Sequence, residues 1–381
     1  MLTTEVLIVG SGPAGASAAY FLAKKGIESI VVEKEILPRY KTCGGGLVYR
    51  GRNLLPFDVS EAIAAEFRQI DVYFSKQNQH LRVARDFPIV SMVMRDSFDA
   101  LILEKAKSEG AKIFEGEKLK SIESGKGEKI ITTTKNTYRT KFVIGADGVL
   151  GRVAKLSGWK EDTRYLIPAL EVETEVVPEK FEFLKQEARF DIDMIPRGYA
   201  WNFPKKKHLS LGVASMKRGK IDLKHYYREY LKSLDIREEH ILSEKLYGFQ
   251  IPVKSRRKIL AKNATLLVGD AAGFADPLTA EGISNAIYSG RLAAESIAEG
   301  NSSGEEVEKI YHHKIKEKLL PELKSAKYLA SVFYNQRRIR NYFIKKEGQV
   351  FAEYLTDIFT GKKHYPADFV EAAKKKFRKA I

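Results

Sequence analysis

Residues 5–34 hold the most constraining feature of the sequence, a glycine-rich turn between an apolar segment and a small-residue helix pattern. The stretch reads EVLIVGSGPAGASAAYFLAKKGIESIVVEK and places Gly10, Gly12 and Gly15 in a GxGxxG pattern. The β-branched, apolar residues before Gly10 predict a buried parallel strand, and a helix and a second strand are predicted after the turn. In such a unit the first glycine allows the turn, the second lets backbone approach a pyrophosphate, and the third lets the helix pack on the sheet.

Glu33 ends the predicted second strand, where a carboxylate can accept hydrogen bonds from ribose hydroxyls. A GxGxxG pattern by itself is also compatible with a glycine turn that binds nothing. Here the strand, the helix and the acidic residue all occur in the expected order, which favours a dinucleotide site. The acid indicates an unphosphorylated ribose, and therefore FAD or NAD rather than NADP.

Two later segments also predict a strand that ends in a glycine–aspartate loop. FVIGADGVLGRVAK, residues 142–155, places Asp147 after a strand, and ATLLVGDAAGFADPLTAEGISNAIYSGRLAAESI, residues 264–297, does the same with Asp270. In the second segment a helix is predicted to begin near Gly282 and Ile283, where free backbone amides can face an anionic group. Any one of these could be an ordinary strand–helix loop. Three of them in this order favour one composite cofactor site.

The order GSGPAG, GADG and GDAAGFADPLTAEGI resembles that of the FAD-dependent oxidoreductases that are similar to p-hydroxybenzoate hydroxylase. This resemblance covers most of residues 1–300 and implies a tightly bound FAD, with Glu33 on the adenosine ribose and Asp270 near the ribitol and pyrophosphate. It implies an α/β (α+β) fold, in which a Rossmann-type FAD-binding domain is interleaved with an antiparallel-sheet substrate domain. We expect residues 1–160 and 255–300 to form the FAD-binding domain, 161–254 the substrate domain, and 301–381 a C-terminal helical region.

RGYAWNFP, residues 197–204, places three aromatic side chains, Tyr199, Trp201 and Phe203, at every second position. On a strand these rings fall on one face. The simplest interpretation is that they form the core side of a sheet. The alternative is an aromatic wall for a flat or elongated apolar substrate, since π-faces tolerate an alkene or a developing cation. Pro204 is expected to end the strand, as at a sheet edge or a cleft.

The only cysteine of the chain, Cys43, stands before three glycines in PRYKTCGGGLVYR, residues 38–50. Together with YxWxFP and DPLTAEGI, this stretch resembles the geranylgeranyl reductase family, which includes digeranylgeranylglycerophospholipid reductases. The resemblance implies hydrogenation of prenyl double bonds by reduced FAD. One departure is visible: the family tends to show GxG after the aromatic motif, whereas this chain has LGVAS, with Ala214 at the second position.

The resemblance carries over to named positions of this sequence. The residues implied to bind FAD are Gly10, Gly12, Ala14, Gly15, Glu33, Cys43, Gly44, Gly45, Gly46, Arg95, Leu119, Asp270, Gly282 and Ile283. The residues implied to face substrate are Tyr40, Tyr199, Trp201, Phe203 and Pro204.

The implied reaction is hydride transfer from N5 of FADH2 to one alkene carbon while a proton reaches the other. Tyr199 and Trp201 are the candidates for shielding a developing cation, and Cys43 is a candidate that either donates a proton or only positions the loop. A thiol with an ordinary pKa of about 8.5 is a weak acid for an alkene, which favours positioning. The substrate is expected to be an isoprenoid lipid or a prenyl diphosphate, and the electron donor NADPH or a ferredoxin. An FAD monooxygenase or halogenase of the same fold is the alternative.

Composition limits the other functions. The 65 basic and 49 acidic residues leave a net charge of +16, which favours phosphate-bearing partners, but no nucleic-acid motif accompanies it. A single cysteine excludes an intramolecular disulfide and indicates a reducing, cytoplasmic setting, and no metal site is expected. A basic helix predicted at residues 366–381 could dock on the FAD domain, or could attach to anionic lipid at the inner face of the cell membrane.

Overall fold

The architecture is that of a computed structural model, which describes residues 1–125, 127–217, 219–256, 259–301 and 303–366. The basic helix predicted at the C-terminus falls almost entirely on residues 367–381, which lie outside the described residues. The described helices include none that is long and apolar enough to cross a membrane.

The secondary structure alternates strands and helices over the first 300 residues and is helical after them. The described strands, in chain order, are β1 (Leu2–Val9), β2 (Ser29–Val32), β3 (Gly46–Val48), β4 (Ile63–Phe67), β5 (Gln69–Phe74), β6 (Gln79–Ala84), β7 (Val90–Val93), β8 (Lys112–Phe114), β9 (Leu119–Ser124), β10 (Lys129–Thr133), β11 (Thr137–Gly145), β12 (Leu166–Val176), β13 (Ala188–Ile192), β14 (Gly198–Pro204), β15 (Leu209–Ser215), β16 (Ile241–Pro252), β17 (Ala261–Lys262) and β18 (Thr265–Leu267). The described α-helices are α1 (Pro13–Ala23), α2 (Tyr49–Arg52), α3 (Arg95–Ser108), α4 (Val153–Leu156), α5 (Pro178–Leu184), α6 (Leu223–Ser233), α7 (Gly269–Ala272), α8 (Ile283–Glu299), α9 (Gly304–Lys318), α10 (Leu320–Asn335) and α11 (Arg337–Thr360).

The first sheet has eight strands, and its parallel core runs in the order β18-β11-β1-β2-β8. β9 and β10 extend it as an antiparallel hairpin on β11, and β17 pairs with β18. The strands of this core are apolar on both faces because helices cover both sides of the sheet. α1 and α8 pack closely, since a Cβ added at Gly290 would lie 2.2 Å from the carbonyl oxygen of Ala14.

The second sheet has seven strands in the order β16-β12-β15-β14-β13-β5-β6, antiparallel except where β13 and β5 pair in parallel. The combination of the two sheets confirms the predicted fold class. The second sheet also contains two strands from outside the predicted substrate domain, because β5 and β6 lie within residues 1–160. β13, the parallel partner of β5, lies more than a hundred residues later, so no local pattern signals the pairing. The domain boundaries themselves stay a prediction.

A small third sheet, β3-β7-β4, joins these two layers. The loop that precedes β3, residues 38–45, contains the single cysteine and lies between the two large sheets. Of the C-terminal helices, α9 packs against α8, while α11 packs against β6 at the end of the second sheet. The strand ends of the first sheet, the loop before β3 and the face of the second sheet therefore meet in one region.

Candidate functional site

A cavity of about 710 Å³ lies where the carboxyl ends of the parallel strands face the second sheet. It is lined by most of the residues that the sequence predicts to bind cofactor, namely Gly10, Gly12, Ala14, Glu33, Cys43, Gly44, Gly45, Gly46, Arg95, Leu119, Asp270, Gly282 and Ile283. Four of the predicted substrate residues, Tyr40, Tyr199, Trp201 and Phe203, line the same cavity. Gly15 and Pro204 do not line it. The structure thus brings nearly all the predicted site together, although the role of each residue stays a prediction.

The turn after β1 has the conformation that its glycines suggest. Gly10 has a φ of +102°, and a Cβ there would lie 2.5 Å from the carbonyl oxygen of Ala146. At Gly15 a Cβ would lie 1.9 Å from the carbonyl oxygen of Gly10, so this glycine allows α1 to pack on the turn. At Gly12 a Cβ would meet nothing closer than 3.9 Å, which leaves open space in front of the N-terminus of α1. This space fits a pyrophosphate.

Glu33 is buried at the end of β2 and is held by the same turn. One carboxylate oxygen accepts hydrogen bonds from the backbone N–H of Ser11 at 2.9 Å and from its hydroxyl at 2.7 Å. The other accepts from the backbone N–H of Glu35 at 3.1 Å. The carboxylate is therefore fixed beside the cavity, with lone pairs left for the hydroxyl groups of a ribose.

Two guanidinium groups face the open space in front of Gly12. Arg95 donates two hydrogen bonds to the buried Asp99, at 2.8 and 2.9 Å, and Arg39 pairs with the same carboxylate at 3.0 Å. One terminal nitrogen of Arg39, Nη1, is buried without a hydrogen-bond partner among the described residues. Two cations on one carboxylate leave a net positive charge at the site, which suits the two charges of a pyrophosphate. Sequence reasoning named Arg95 but missed Arg39.

Asp270 lies at the start of α7, partly exposed, and lines the cavity. Burial raises the pKa of this carboxyl group, while the cations of Lys41, Arg95 and Arg164 act in the opposite direction. α8 begins at Ile283 with Gly282 as its N-terminal flanking residue, as the sequence predicts. The free amides of this helix start therefore lie beside the cavity, where they can face an anionic group.

The cysteine–glycine loop packs directly against the aromatic strand. A Cβ at Gly44 would lie 3.0 Å from both Trp201 Nε1 and Phe203 Cδ2. Gly45 has a φ of +71°, and a Cβ there would lie 2.1 Å from the carbonyl oxygen of Val93. These glycines thus have a second reason for being small besides the predicted approach to the flavin, because the loop passes between strands of two sheets. Cys43 is partly exposed, and its sulfur accepts the backbone N–H of Gly45 at 3.4 Å.

Lys205 holds this loop in place from the far end of the aromatic strand. Its ammonium group, in a side chain that is only 3% exposed, donates to the carbonyl oxygen of Gly44 at 2.6 Å and to that of Val93 at 3.2 Å. Burial lowers the pKa of Lys205 to about 8. Sequence reasoning missed this residue; a lysine directly after the Phe-Pro that ends the predicted aromatic strand was the available signal.

The aromatic rings of β14 form a continuous wall along the cavity. The ring centroids of Tyr199 and Trp201 are 6.0 Å apart, and those of Trp201 and Phe203 are 6.2 Å apart. The Tyr199 hydroxyl donates to the carbonyl oxygen of Thr279 at 2.6 Å, and Trp201 Nε1 has no partner among the described residues. The rings are both the buried side of a sheet and the lining of the cavity, so the two interpretations of the sequence are compatible.

Pro204 ends β14, as expected, but not at the edge of the sheet. β14 lies between β13 and β15, and Pro204 pairs with Leu209 at the mouth of the turn that joins β14 to β15. A proline is tolerated there because it occupies the last position of the strand.

The wall depends on a glycine in the neighbouring strand. Gly212 on β15 lies opposite Trp201, and a Cβ at Gly212 would lie 1.9 Å from Trp201 Cζ2. Ala214, where the sequence departs from the GxG pattern, lies opposite Tyr199. The indole therefore rests on bare backbone, whereas the phenol ring stands opposite a methyl group.

Tyr40 joins the loop before β3 to the second sheet. Its hydroxyl donates to the buried Glu171 at 2.6 Å, and its ring stacks on that of Tyr247 with centroids 4.2 Å apart. Glu171 also accepts from the hydroxyl of Ser210 at 3.0 Å. Burial, with a contribution from the neighbouring Glu173, raises the pKa of Glu171 to about 8. Glu171 lines the cavity and was not foreseen from the sequence.

The chain is similar to known flavoproteins in sequence and in structure. A family described as FAD binding domain matches residues 3–316. The chloroplastic geranylgeranyl diphosphate reductase of Arabidopsis thaliana is 30% identical over 97% of this chain and 83% of its own. The digeranylgeranylglycerophospholipid reductase of Methanosarcina acetivorans is 28% identical over 82% and 80%. A solved geranylgeranyl bacteriochlorophyll reductase-like protein of Thermoplasma acidophilum superposes with a TM-score of 0.76 at 25% identity, over 87% of both chains.

These matches and the cavity define the protein as a flavoprotein oxidoreductase with FAD as its cofactor. Within that class, the chain belongs to the geranylgeranyl reductase family. The fold is shared with enzymes of other chemistry: a tryptophan 2-halogenase of Chondromyces crocatus is 27% identical over 77% of this chain and 61% of its own.

The contact between Gly212 and Trp201 generates a first prediction. Gly212→Ala should displace the indole and destabilise the fold by about 2 kcal/mol or more, because the added methyl group has no space. Urea unfolding measures the free energy, and Trp fluorescence reports the displaced ring. Gly248→Ala on β16 is the matched control, since a Cβ there would meet nothing within 4 Å. Equal stability of the two variants would contradict the packing argument.

A second prediction concerns how the buried carboxyl group of Glu171 makes the stability of the protein depend on pH. Because the folded-state pKa is raised above the unfolded value, the folded state binds more protons between about pH 4.3 and 8, and its stability falls as the pH rises through that window. Glu171→Gln keeps an acceptor for Tyr40 but cannot ionise. The free energy of unfolding of wild type relative to this variant should therefore fall by on the order of 2–4 kcal/mol between about pH 5 and pH 8.

Urea unfolding at both pH values measures this difference. Glu175→Gln, an exposed position on the same strand, is the control and should change nothing. A pH-independent difference between wild type and Glu171→Gln would show that Glu171 ionises normally.

Proposed function

We propose that the protein hydrogenates prenyl double bonds of an isoprenoid lipid or an isoprenoid diphosphate. The observation that carries the proposal is the packing of the Cys43–Gly46 loop against a wall of three aromatic rings at the cofactor cavity. The activities for which its relatives are named support the same class of substrate. Reduced FAD, when bound, supplies the hydride for such a reduction.

The cavity offers the surroundings that an unactivated alkene requires. Beyond the aromatic wall its lining is apolar, formed by Val48, Ile70, Val90, Phe190 and Phe359. An apolar extension of this kind suits a prenyl chain, whose burial is favourable along its whole length.

In this proposal the aromatic residues stabilise positive charge on the substrate. An unactivated alkene is a poor hydride acceptor, so a proton must reach one carbon before or during hydride transfer. The faces of Tyr199 and Trp201 are suited to shield the resulting cation, because both rings are less than a tenth exposed and a cation–π interaction strengthens as water is excluded. We assign to Cys43 the positioning of the loop, with its backbone partner Gly45, rather than donation of the proton.

The electron donor is proposed to be NADPH or a ferredoxin. The net charge of +16 favours association with an acidic ferredoxin, because opposite net charges accelerate encounter.

Anaerobic turnover tests the proposal. The FAD-loaded protein, reduced with dithionite under nitrogen, should saturate geranylgeranyl diphosphate or a geranylgeranyl-linked lipid, and mass spectrometry should show two hydrogens added per double bond. Product formation only with oxygen, or with oxygen and halide, would instead establish the monooxygenase or halogenase alternative.

Single-turnover kinetics tests the role of Cys43. A general acid contributes about 10²- to 10⁴-fold to a rate, and removing a residue that only positions the loop should cost less. Cys43→Ser and Cys43→Ala, with FADH2 already bound, should therefore be oxidised by substrate within about tenfold of the wild-type rate. The oxidation is followed by flavin absorbance after mixing with substrate in the absence of oxygen. A loss of a hundredfold or more in both variants, with normal FAD content, would make Cys43 the proton donor.

A further inference from the structure

Residues 339–350 of α11 leave apolar side chains uncovered. The exposed members are Ile339, Tyr342, Phe343 and Val350, with 43, 64, 44 and 64% of their surface exposed. The described residues include thirteen large apolar side chains that are exposed by more than a third, and four of them lie within these twelve positions. Such clustering marks an interaction surface, whereas scattered apolar residues do not.

The helix itself is firmly packed, so its outer face is not exposed by loose docking. Arg340 and Ile344 are only 5% and 1% exposed on the inner face, and Arg340 forms an ion pair with Asp193. A Cβ at Gly348, one turn further, would lie 3.2 Å from Leu81 Cδ1. By the 3.6-residue period, Tyr342 lies about half a turn from both Arg340 and Ile344 and faces outward, while Phe343 lies at the side of the helix. The helical backbone is interrupted at Glu347, with φ −129° and ψ 18°, so Val350 lies beyond this interruption.

The exposed face is also strongly basic. Its side chains Arg337, Arg338, Lys345 and Lys346 are exposed, and among the described residues none of them forms an ion pair. The stretch from 337 to 346 contains no acidic residue, and the first one on the helix is Glu347. Lys346 lies over the Tyr342 ring, with its ammonium nitrogen 4.8 Å from the centroid.

We propose that this exposed surface of α11 binds the surface of an anionic lipid bilayer. We term it the α11 patch and define it as Ile339, Tyr342, Phe343 and Val350 with Arg337, Arg338, Lys345 and Lys346. Aromatic and aliphatic side chains reach the acyl boundary while long cationic side chains extend to the headgroups, which is the arrangement of interfacial helices. Anionic headgroups supply the charge that the unpaired cations lack. A second copy of this chain would bring the same positive charge and repel it.

This assignment places membrane contact in the described helix α11, and not in the basic C-terminal segment that the sequence suggested. It goes beyond the proposed function, because the patch lies on the outer face of α11, whereas the proposed chemistry concerns the cavity. Attachment here would bring the enzyme to the phase in which a lipid-linked substrate resides.

Vesicle co-sedimentation of the FAD-loaded, full-length protein tests the proposal. Wild type should bind vesicles of phosphatidylcholine and phosphatidylglycerol, and should bind vesicles of phosphatidylcholine alone far more weakly. The variant R337Q/R338Q/K345Q/K346Q should lose roughly 600-fold in affinity, since each of the four cations near an anionic surface contributes roughly fivefold. Y342S/F343S should lose about tenfold, because two partly inserted rings are removed.

Matched controls test whether binding depends on the α11 patch or on the total charge and exposed apolar surface of the protein. K316Q/K318Q on α9 removes exposed lysines elsewhere, and F183S removes a 73% exposed ring on α5; both should bind as wild type does. All variants should retain FAD, and their melting temperatures are compared with that of wild type because the Phe343 ring also contacts the Phe351 ring, with centroids 5.9 Å apart.

Three results would overturn the proposal. One is equal binding to neutral and anionic vesicles, and another is loss of binding in K374Q/K375Q/K376Q with the α11 variants unaffected. The third is self-association of wild type in sedimentation velocity without vesicles, abolished by Y342S/F343S, which would make the patch an interface between copies. None of these readouts uses turnover, so failure of this proposal is distinguishable from failure of the proposed function.

Discussion

The hydrogen bond from Lys205 to the carbonyl oxygen of Gly44 is the interaction on which the assembly of the site depends. It joins the residue that follows the aromatic strand to the loop before β3. The same ammonium group donates a hydrogen bond to the carbonyl oxygen of Val93 on the third sheet. Tyr40 adds a bond from the loop to Glu171 of the second sheet. Because glycine backbone supplies little side-chain packing of its own, these polar contacts fix where the loop lies between the two sheets.

The electrostatics of the cavity follow from how its buried charges are paired. Asp99 has no exposed surface and is balanced by two guanidinium groups, which leaves positive charge facing the N-terminus of α1. On the opposite wall Glu171 is buried and has no ion-pair partner among the residues that the structure describes, and burial raises its pKa. One end of the cavity therefore favours an anionic group such as a pyrophosphate, and the other disfavours charge. A dinucleotide that ends in a neutral ring system matches both ends.

Sequence reasoning identified the parts of this site that are local in the chain. The glycine turns, the acid at Glu33, the start of α8 and the period-two aromatic strand each depend on residues within one motif. The resemblance of these motifs to a known flavoprotein family implied the fold class and FAD, and both are confirmed. Arg39, Glu171 and Lys205 were missed because their contacts join residues 60, 131 and 161 positions apart. The parallel pairing of β5 with β13 is non-local in the same way. Pro204 was expected at a sheet edge or a cleft, because the sequence of a single strand does not reveal which strands lie beside it.

The loop from Asp276 to Glu281 connects the cofactor side of the cavity to the aromatic wall on its substrate side. Its carbonyl groups accept from Tyr199 of the aromatic wall at Thr279 and from Tyr334 of α10 at Leu278. Glu281, at its end, pairs with Arg50, which also pairs with Glu322 of α10. The loop leads directly into the start of α8, so the same six residues contact the C-terminal helices, the cofactor side and the aromatic wall. The C-terminal helices are thus part of the framework of the site, and a reductase and a halogenase with the same nucleotide fold can differ through what such a framework places against the flavin.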